Sequence, residues 1–274
     1  MSVGPPSTGS RVAPRDVVEL KILADRQPAL APAATLQIDL IESVRRVQGR
    51  LTTPWIEATA EALGTRLSTG QPLLEFAQIA FDWNDVRLLI RQLTDVLRRH
   101  EVIDGAAVNA LHAIGRSPDL PAVMRAWFEQ SPMMDVDMLG EVLGWAARPY
   151  LMRTAEVLQQ RVSLDGWRRS TCPMCAAEPE FSVITMSGDR QLVCGRCHVR
   201  WNFDPIACPY CANDDRARIK SMATPDGMYR VMICAPCGRY IKALDARKAT
   251  RPLLPYADVI ATLPLDAAVM KSMS

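Results

Sequence analysis

The residues in this sequence best placed to do chemistry are its eight cysteines, and every one of them belongs to a Cys-x-x-Cys knuckle. The knuckles are Cys172-Pro173-Met174-Cys175, Cys194-Gly195-Arg196-Cys197, Cys208-Pro209-Tyr210-Cys211 and Cys234-Ala235-Pro236-Cys237. A tight turn lets the thiolates at i and i+3 reach the same ion, while backbone N–H groups in the turn moderate the charge on sulfur. Two such turns complete a tetrahedron of four thiolates at about 2.3 Å from the metal. One knuckle would carry little weight. Four, using every cysteine in the chain, point to two four-cysteine metal sites. All-sulfur tetrahedral ligation suits zinc or a single rubredoxin-like iron, and the spacing does not choose between them. A closed tetrahedron has no open coordination position, so structural ions are expected rather than catalytic ones.

Four knuckles can pair sequentially, interleaved or nested. Eighteen residues separate Cys175 from Cys194, and twenty-two separate Cys211 from Cys234. Each interval reads as one β-hairpin. Phe181 to Met186 leads through Ser187-Gly188-Asp189 to Gln191-Leu192-Val193, and Ala217 to Met222 leads through Pro225-Asp226-Gly227 to Tyr229–Ile233. A hairpin brings its flanking knuckles together, which favours sequential pairing: Cys172, Cys175, Cys194 and Cys197 in one site, and Cys208, Cys211, Cys234 and Cys237 in the other. The two units also repeat, each ending in an aromatic strand that carries Trp201 or Tyr240. Neither is large enough to bury a useful core, so its metal supplies folding free energy on the order of 10 kcal/mol. On this view serine at Cys172 or Cys208 unfolds one ribbon locally and spares the rest.

The elements that carry these ribbons differ in texture from what precedes them. Cysteine is absent from residues 1–171, and the boundary is placed near Asp165-Gly166. Before it the pattern is helical. Thr53-Pro54 reads as a helix start, with Trp55, Thr59, Ala62, Leu63, Arg66 and Leu67 following at helical spacing. Val86, Leu89, Ile90, Leu93, Val96 and Leu97 share one face of a second helix, with Arg87, Arg91, Asp95, Arg98 and Arg99 mainly opposite. Further helices are expected around 35–50, 105–115, 120–130 and 136–162, punctuated by Pro118, Pro121 and Pro132. The fold class is therefore α+β: an N-terminal all-α helical domain followed by two tandem small β metal-ribbon modules of rubredoxin or zinc-ribbon type. The expected divisions are a disordered lead-in at 1–16, the helical domain at 17–165, ribbons at 166–204 and 205–250, and a tail with one short helix at 251–274.

Other residues invite functional readings that are weaker. His198 follows Cys197 and could ligate, but eight thiolates already complete two sites. His100 and His112 have no companion ligands. Tryptophans 55, 83, 127, 145 and 167 read as core or interface residues. Basic residues from Arg168 to Arg239 are interspersed with acidic ones, and some positive charge is expected merely to offset two dianionic metal–thiolate centres. A formal charge of +2 argues against a nucleic-acid partner. The sequence shows no Ser/His/Asp constellation and no phosphate-cradling glycine loop. Close to half the residues are apolar, yet none of the apolar runs approaches the roughly 20 residues that span a bilayer. No membrane insertion and a cytoplasmic, reducing location are expected, where paired cysteines bind metal or do redox chemistry more often than they form disulfides.

The order of parts resembles the FdhE-type formate dehydrogenase accessory proteins: a helical half without cysteine, then knuckle, hairpin, knuckle and aromatic strand, twice. Leu192–Trp201, Cys234–Lys242 and the Thr262–Ala268 tail carry the resemblance, which covers 165–270. Ala176 and His198 depart from it, standing where a rubredoxin-like knuckle often has glycine. The resemblance implies a non-enzymatic assembly chaperone in the cytoplasm. Its partner would be the catalytic subunit of a respiratory formate dehydrogenase, bound before export by the twin-arginine route, with iron an alternative to zinc in the knuckles. The client is expected near the domain junction, around Trp167 to Cys175. A nucleic-acid-binding zinc ribbon and a rubredoxin-like electron carrier are the competing readings.

Overall fold

The computed structural model describes residues 14–131 and 133–273. The expected lead-in lies outside the described residues up to residue 13, and helix α1 (Arg15–Arg26) begins directly after Pro14. Helices α2 (Ala31–Gln48), α3 (Ala60–Ser68), α4 (Trp83–Arg99), α5 (Gly105–Arg116), α6 (Leu120–Phe128) and α7 (Leu139–Gln159) follow. In α4 the Asp82 carboxylate accepts from the N–H groups of Asn84 and Asp85, satisfying donors that a helix start leaves unpaired. All six apolar residues of its periodic face are buried. Helix α7 is apolar on nearly every side because it is central, packing against α2, α4 and α6.

One expected helix start is displaced. Residues 51–59 are irregular, and Thr59 rather than Thr53 caps α3, its hydroxyl accepting from Ala62 N. The reason lies in distant arginines. Arg153 donates to the Thr53 hydroxyl at 2.7 Å and Arg161 to the Ile56 carbonyl at 2.7 Å, so side chains from α7 and its end hold this stretch open. Trp55, expected in a core or interface, is 82% exposed as a consequence, while Trp127, Trp145 and Trp167 are buried.

The ribbon half contains strands β1 (Pro179–Ile184), β2 (Arg190–Cys194), β3 (Arg200–Phe203), β4 (Ile219–Ala223), β5 (Tyr229–Cys234) and β6 (Tyr240–Asp245). The hairpin tips use the anticipated turn chemistry: Gly188 and Gly227 take positive φ, and the Asp226 carboxylate accepts from Met228 N. The two ribbons are fused. Parallel pairing of β1 with β6 joins them into one six-stranded sheet of order β3-β2-β1-β6-β5-β4, which removes what would otherwise be two open edges. Ser182, buried at this seam, donates its hydroxyl to the Lys242 carbonyl.

The C-terminal segment forms two helices rather than the one expected, α8 (Pro255–Ala261) and α9 (Leu263–Met273). Helix α8 packs on α1 and α2, and Asp16 at the start of α1 accepts from the N–H groups of Tyr256 and Ala257. The two ends of the described chain thus meet. A continuous core runs from the helices through Cys172, Met174, Cys175, Leu192 and Trp201 to Ala257 and Ile260. A second cluster, including Phe181, Val231, Leu244, Leu265 and Val269, lies between the sheet and α9. Among the described residues no helix is long and apolar enough to cross a membrane.

Candidate metal centres

The eight cysteines gather into two groups of four in chain order, Cys172, Cys175, Cys194 and Cys197 in the first and Cys208, Cys211, Cys234 and Cys237 in the second. In the first, Sγ–Sγ distances are 3.6 Å (Cys172–Cys197), 3.5 Å (Cys175–Cys194) and 3.8 Å (Cys175–Cys197). In the second they are 3.7 Å (Cys208–Cys237) and 3.6 Å (Cys211–Cys234). A tetrahedron with metal–sulfur bonds of about 2.3 Å has edges of about 3.8 Å. A disulfide would need about 2.05 Å. The sulfurs are therefore spaced as ligands of one ion and not as bonded pairs, and each group could hold a metal.

The same turn builds all four knuckles. The N–H of the residue after the second cysteine donates to the carbonyl of the first: Ala176 to Cys172, His198 to Cys194, Ala212 to Cys208 and Gly238 to Cys234, at 2.9–3.2 Å. The first cysteine's own N–H then donates back across the turn, to Ala177, Val199, Asn213 and Arg239 respectively. That geometry requires a left-handed residue directly after the second cysteine, with φ of 58° at Ala176, 58° at His198, 59° at Ala212 and 67° at Gly238. Only Gly238 adopts it without a Cβ penalty. The non-glycine residues noted at Ala176 and His198 therefore leave the turn intact and store strain in it, and Ala212, not singled out in the sequence, does the same. In the first site the N–H groups of Met174, Arg196 and Cys197 also point at sulfur, at 3.3–3.4 Å.

The surroundings of the two groups differ. All four cysteines of the first are buried, and the helical half closes over them. Leu73 and Leu74 donate their N–H groups to the carbonyls of Pro173 and Met174, so the loop before α4 pairs with the knuckle like a short strand. Arg196 stacks on Trp127 at 4.1 Å and donates to the Trp127 and Phe128 carbonyls at the end of α6. Arg148 of α7 donates to the Gly195 carbonyl at 2.8 Å. His198 lies edge-on to Tyr256 at 4.9 Å and takes no part in the thiol group. Burial, and then the nearby Arg148 charge, push its imidazole down to about 3, which keeps it neutral at physiological pH. Trp167, Cys172, Met174 and Cys175 are almost wholly buried, while Arg168 and Arg169 within the same stretch are exposed.

The second group faces outward, with Cys211 exposed and Cys237 half-exposed. It is braced by its own ribbon and the neighbouring one. Arg239 stacks on Tyr210 at 3.6 Å and forms a two-pronged ion pair with Glu178, while the Tyr210 hydroxyl donates to the Pro179 carbonyl. Arg190 is buried beside it and donates to the Ala207 carbonyl at 2.9 Å. His100 hydrogen-bonds Asp39 at 2.9 Å and belongs to neither group. Of these supporting residues, Arg196 and Tyr210 carried a sequence signal, by lying inside knuckles.

No family model matches the chain. A curated FdhE homologue from Actinobacillus pleuropneumoniae is 31% identical over 127 residues, which are 45% of this chain and 41% of that protein. One from Erwinia tasmaniensis is 26% identical over 204 residues, 73% of this chain and 65% of that protein. The chain thus spans less than half the length of the first of these relatives. The crystal structure of the FdhE protein from Pseudomonas aeruginosa has the same fold, with a TM-score of 0.64 and 20% identity over 94% of this chain and 90% of that one. The chain is thus similar in sequence to curated FdhE homologues over part of their length and shares the fold of an FdhE protein over nearly all of its own.

Proposed function

We propose that this protein is a non-enzymatic accessory factor that binds the catalytic subunit of a formate dehydrogenase during its cytoplasmic maturation, and that its eight cysteines hold two iron or zinc ions. The observation that carries this reading is the pair of four-cysteine groups at tetrahedral spacing within a fold shared with an FdhE protein over nearly the whole chain. A binding role follows from the ligand count. Four thiolates close each coordination sphere, so neither ion has a position open to substrate, and no cysteine is left as a free nucleophile. The ions act instead as fasteners. They hold the knuckle turns at the ends of the strands in a fixed shape, and so present a rigid surface to a partner at little cost in ordering entropy.

The test uses the full, metal-loaded chain and the catalytic subunit of a formate dehydrogenase from the same cell, run together on gel filtration without oxygen. A saturable complex supports the reading. Two separate peaks at tens of micromolar of each protein would contradict it. Metal analysis with a visible spectrum on the same preparation distinguishes coloured iron–thiolate from colourless zinc.

A further inference from the structure

A cavity of about 390 Å³ lies away from both cysteine groups, between α4 and α5. Its floor is apolar, formed by Leu88 and Ile90, and its wall carries Arg87, Arg91, Arg116 and His112. No carboxylate lines it. None of the three arginines has an ion-pair partner among the described residues, although arginines elsewhere on α4 do: Arg98 pairs with Asp95 and Arg99 with Asp39. Three guanidinium groups around one hollow repel one another, and a bound anion relieves that repulsion.

Two further features mark a built site rather than a solvated face. Arg87 is fixed: its Nη1 donates to the Gly115 carbonyl at 2.7 Å and the Ser117 carbonyl at 2.8 Å, which locks the guanidinium plane across the end of α5. The rest of its donors are then held in place without further loss of side-chain entropy. The Nε2 atom of His112 is buried without a hydrogen-bond partner, its nearest carboxylate oxygen, on Asp95, being 3.7 Å away. A buried polar atom left unsatisfied at a cavity wall indicates a missing partner.

We infer that this cavity binds an organic phosphate, its phosphoryl oxygens held by Arg87, Arg91 and Arg116 and its organic body seated on Leu88 and Ile90. Phosphate suits the forked geometry of guanidinium better than a single carboxylate does, and a dianion matches the local excess of charge. The cavity falls in the size range of small-molecule sites, larger than an inorganic ion requires. The inference is independent of the metal centres and of the formate dehydrogenase partner.

Calorimetric titration of the full chain with adenosine monophosphate tests it, with inorganic phosphate, a neutral nucleoside and a glutamate-rich hexapeptide as the other arms. Arg91 and Arg116 are exposed, so the Arg91→Gln/Arg116→Gln variant keeps its fold, which its circular dichroism verifies. Saturable binding of the nucleotide, weakened about tenfold or more in the variant and reduced by added salt, is the expected result. Absence of binding up to millimolar nucleotide would overturn the assignment, as would equal affinity in the variant or for the neutral nucleoside. Inorganic phosphate binding as tightly as the nucleotide would remove the role given to the apolar floor. Tighter binding of the acidic peptide would replace a small-molecule site with a peptide-docking one.

Discussion

The two cysteine groups are built from one turn repeated four times, yet they occupy opposite environments. The first lies in the main core with all four sulfurs buried, clasped by Arg148, Arg196 and the backbone of residues 73 and 74. The second sits at the surface with Cys211 exposed, braced by Arg239, Tyr210 and Arg190 of the ribbons themselves. Identical ligands and identical backbone geometry therefore do not imply equivalent sites. What surrounds a thiolate cluster decides how readily water, protons and competing ligands reach it, and so how firmly an ion is held. The first group is part of the hydrophobic core, whereas the second lies at the surface.

The largest effect that could break this comparison comes from Cys172→Ser. Because the first group belongs to the core shared with the helices, the variant should lose the ion and destabilise the entire chain by several kcal/mol, of the order of a structural metal's contribution. Far-UV circular dichroism should show helices and strands melting together at a lower temperature. Helices that melt as in the parent chain would show that the two halves are uncoupled, as the sequence alone suggests. Cys211→Ser is expected to act more weakly, removing one metal equivalent while the helical signal and its midpoint change little. A collapse equal to that of Cys172→Ser would erase the distinction between the groups.

How much of this was legible in the sequence follows from how local each feature is. A knuckle is four residues, and its hairpin is about the next twenty, so the grouping of the cysteines into two sets of four could be read directly from spacing. The strands carrying Trp201 and Tyr240 stand where that pattern placed them. The fusion of the ribbons could not be read, because β1 and β6 alternate like any half-buried strands and nothing local specifies a parallel partner sixty residues away. The inequivalence of the groups was hidden for the same reason: Arg148 and Gly195 are 47 residues apart, and no short-range rule joins them. The misplaced start of α3 has a similar origin. Thr53-Pro54 is sound local helix-start chemistry, overridden by arginines a hundred residues further on.

A smaller perturbation acts on the far end of the second ribbon. Asp245 is buried and accepts from Arg247 and Arg230, and hydrogen bonding to Arg247, ahead of the other influences, holds its carboxyl down to about 2. An ordinary aspartate titrates near 3.9 in the unfolded chain. The carboxylate's stabilisation is therefore fully present above about pH 4 and is lost as pH falls toward 2. Asp245→Asn should cost about 1–2 kcal/mol near neutrality, and the gap from the parent should close in acid. Denaturant melts at a series of pH values measure this directly. A gap that persists at pH 2 would assign the effect to packing instead of charge.

The smallest effect concerns strain in the knuckles. Ala212 holds φ at 59° in the second group, so Ala212→Gly should relieve a left-handed Cβ penalty and stabilise by up to about 1 kcal/mol. The same change at Ala176 relieves similar strain in the first group. Because that turn is clamped by the helices, the gain there should appear as global stability. At Ala212 it should appear as slower loss of the second ion, so the pair of glycine variants separates local from global stabilisation.

The most direct test of two unequal metal centres is a time course of metal release from the native chain into excess chelator, followed without oxygen and referenced to total metal by mass spectrometry. The account predicts two ions per chain and two phases. One equivalent should leave quickly, a phase absent in Cys211→Ser, and the other only as fast as the chain unfolds. A single phase releasing both ions, or fewer than two ions in a fully folded chain, would contradict it.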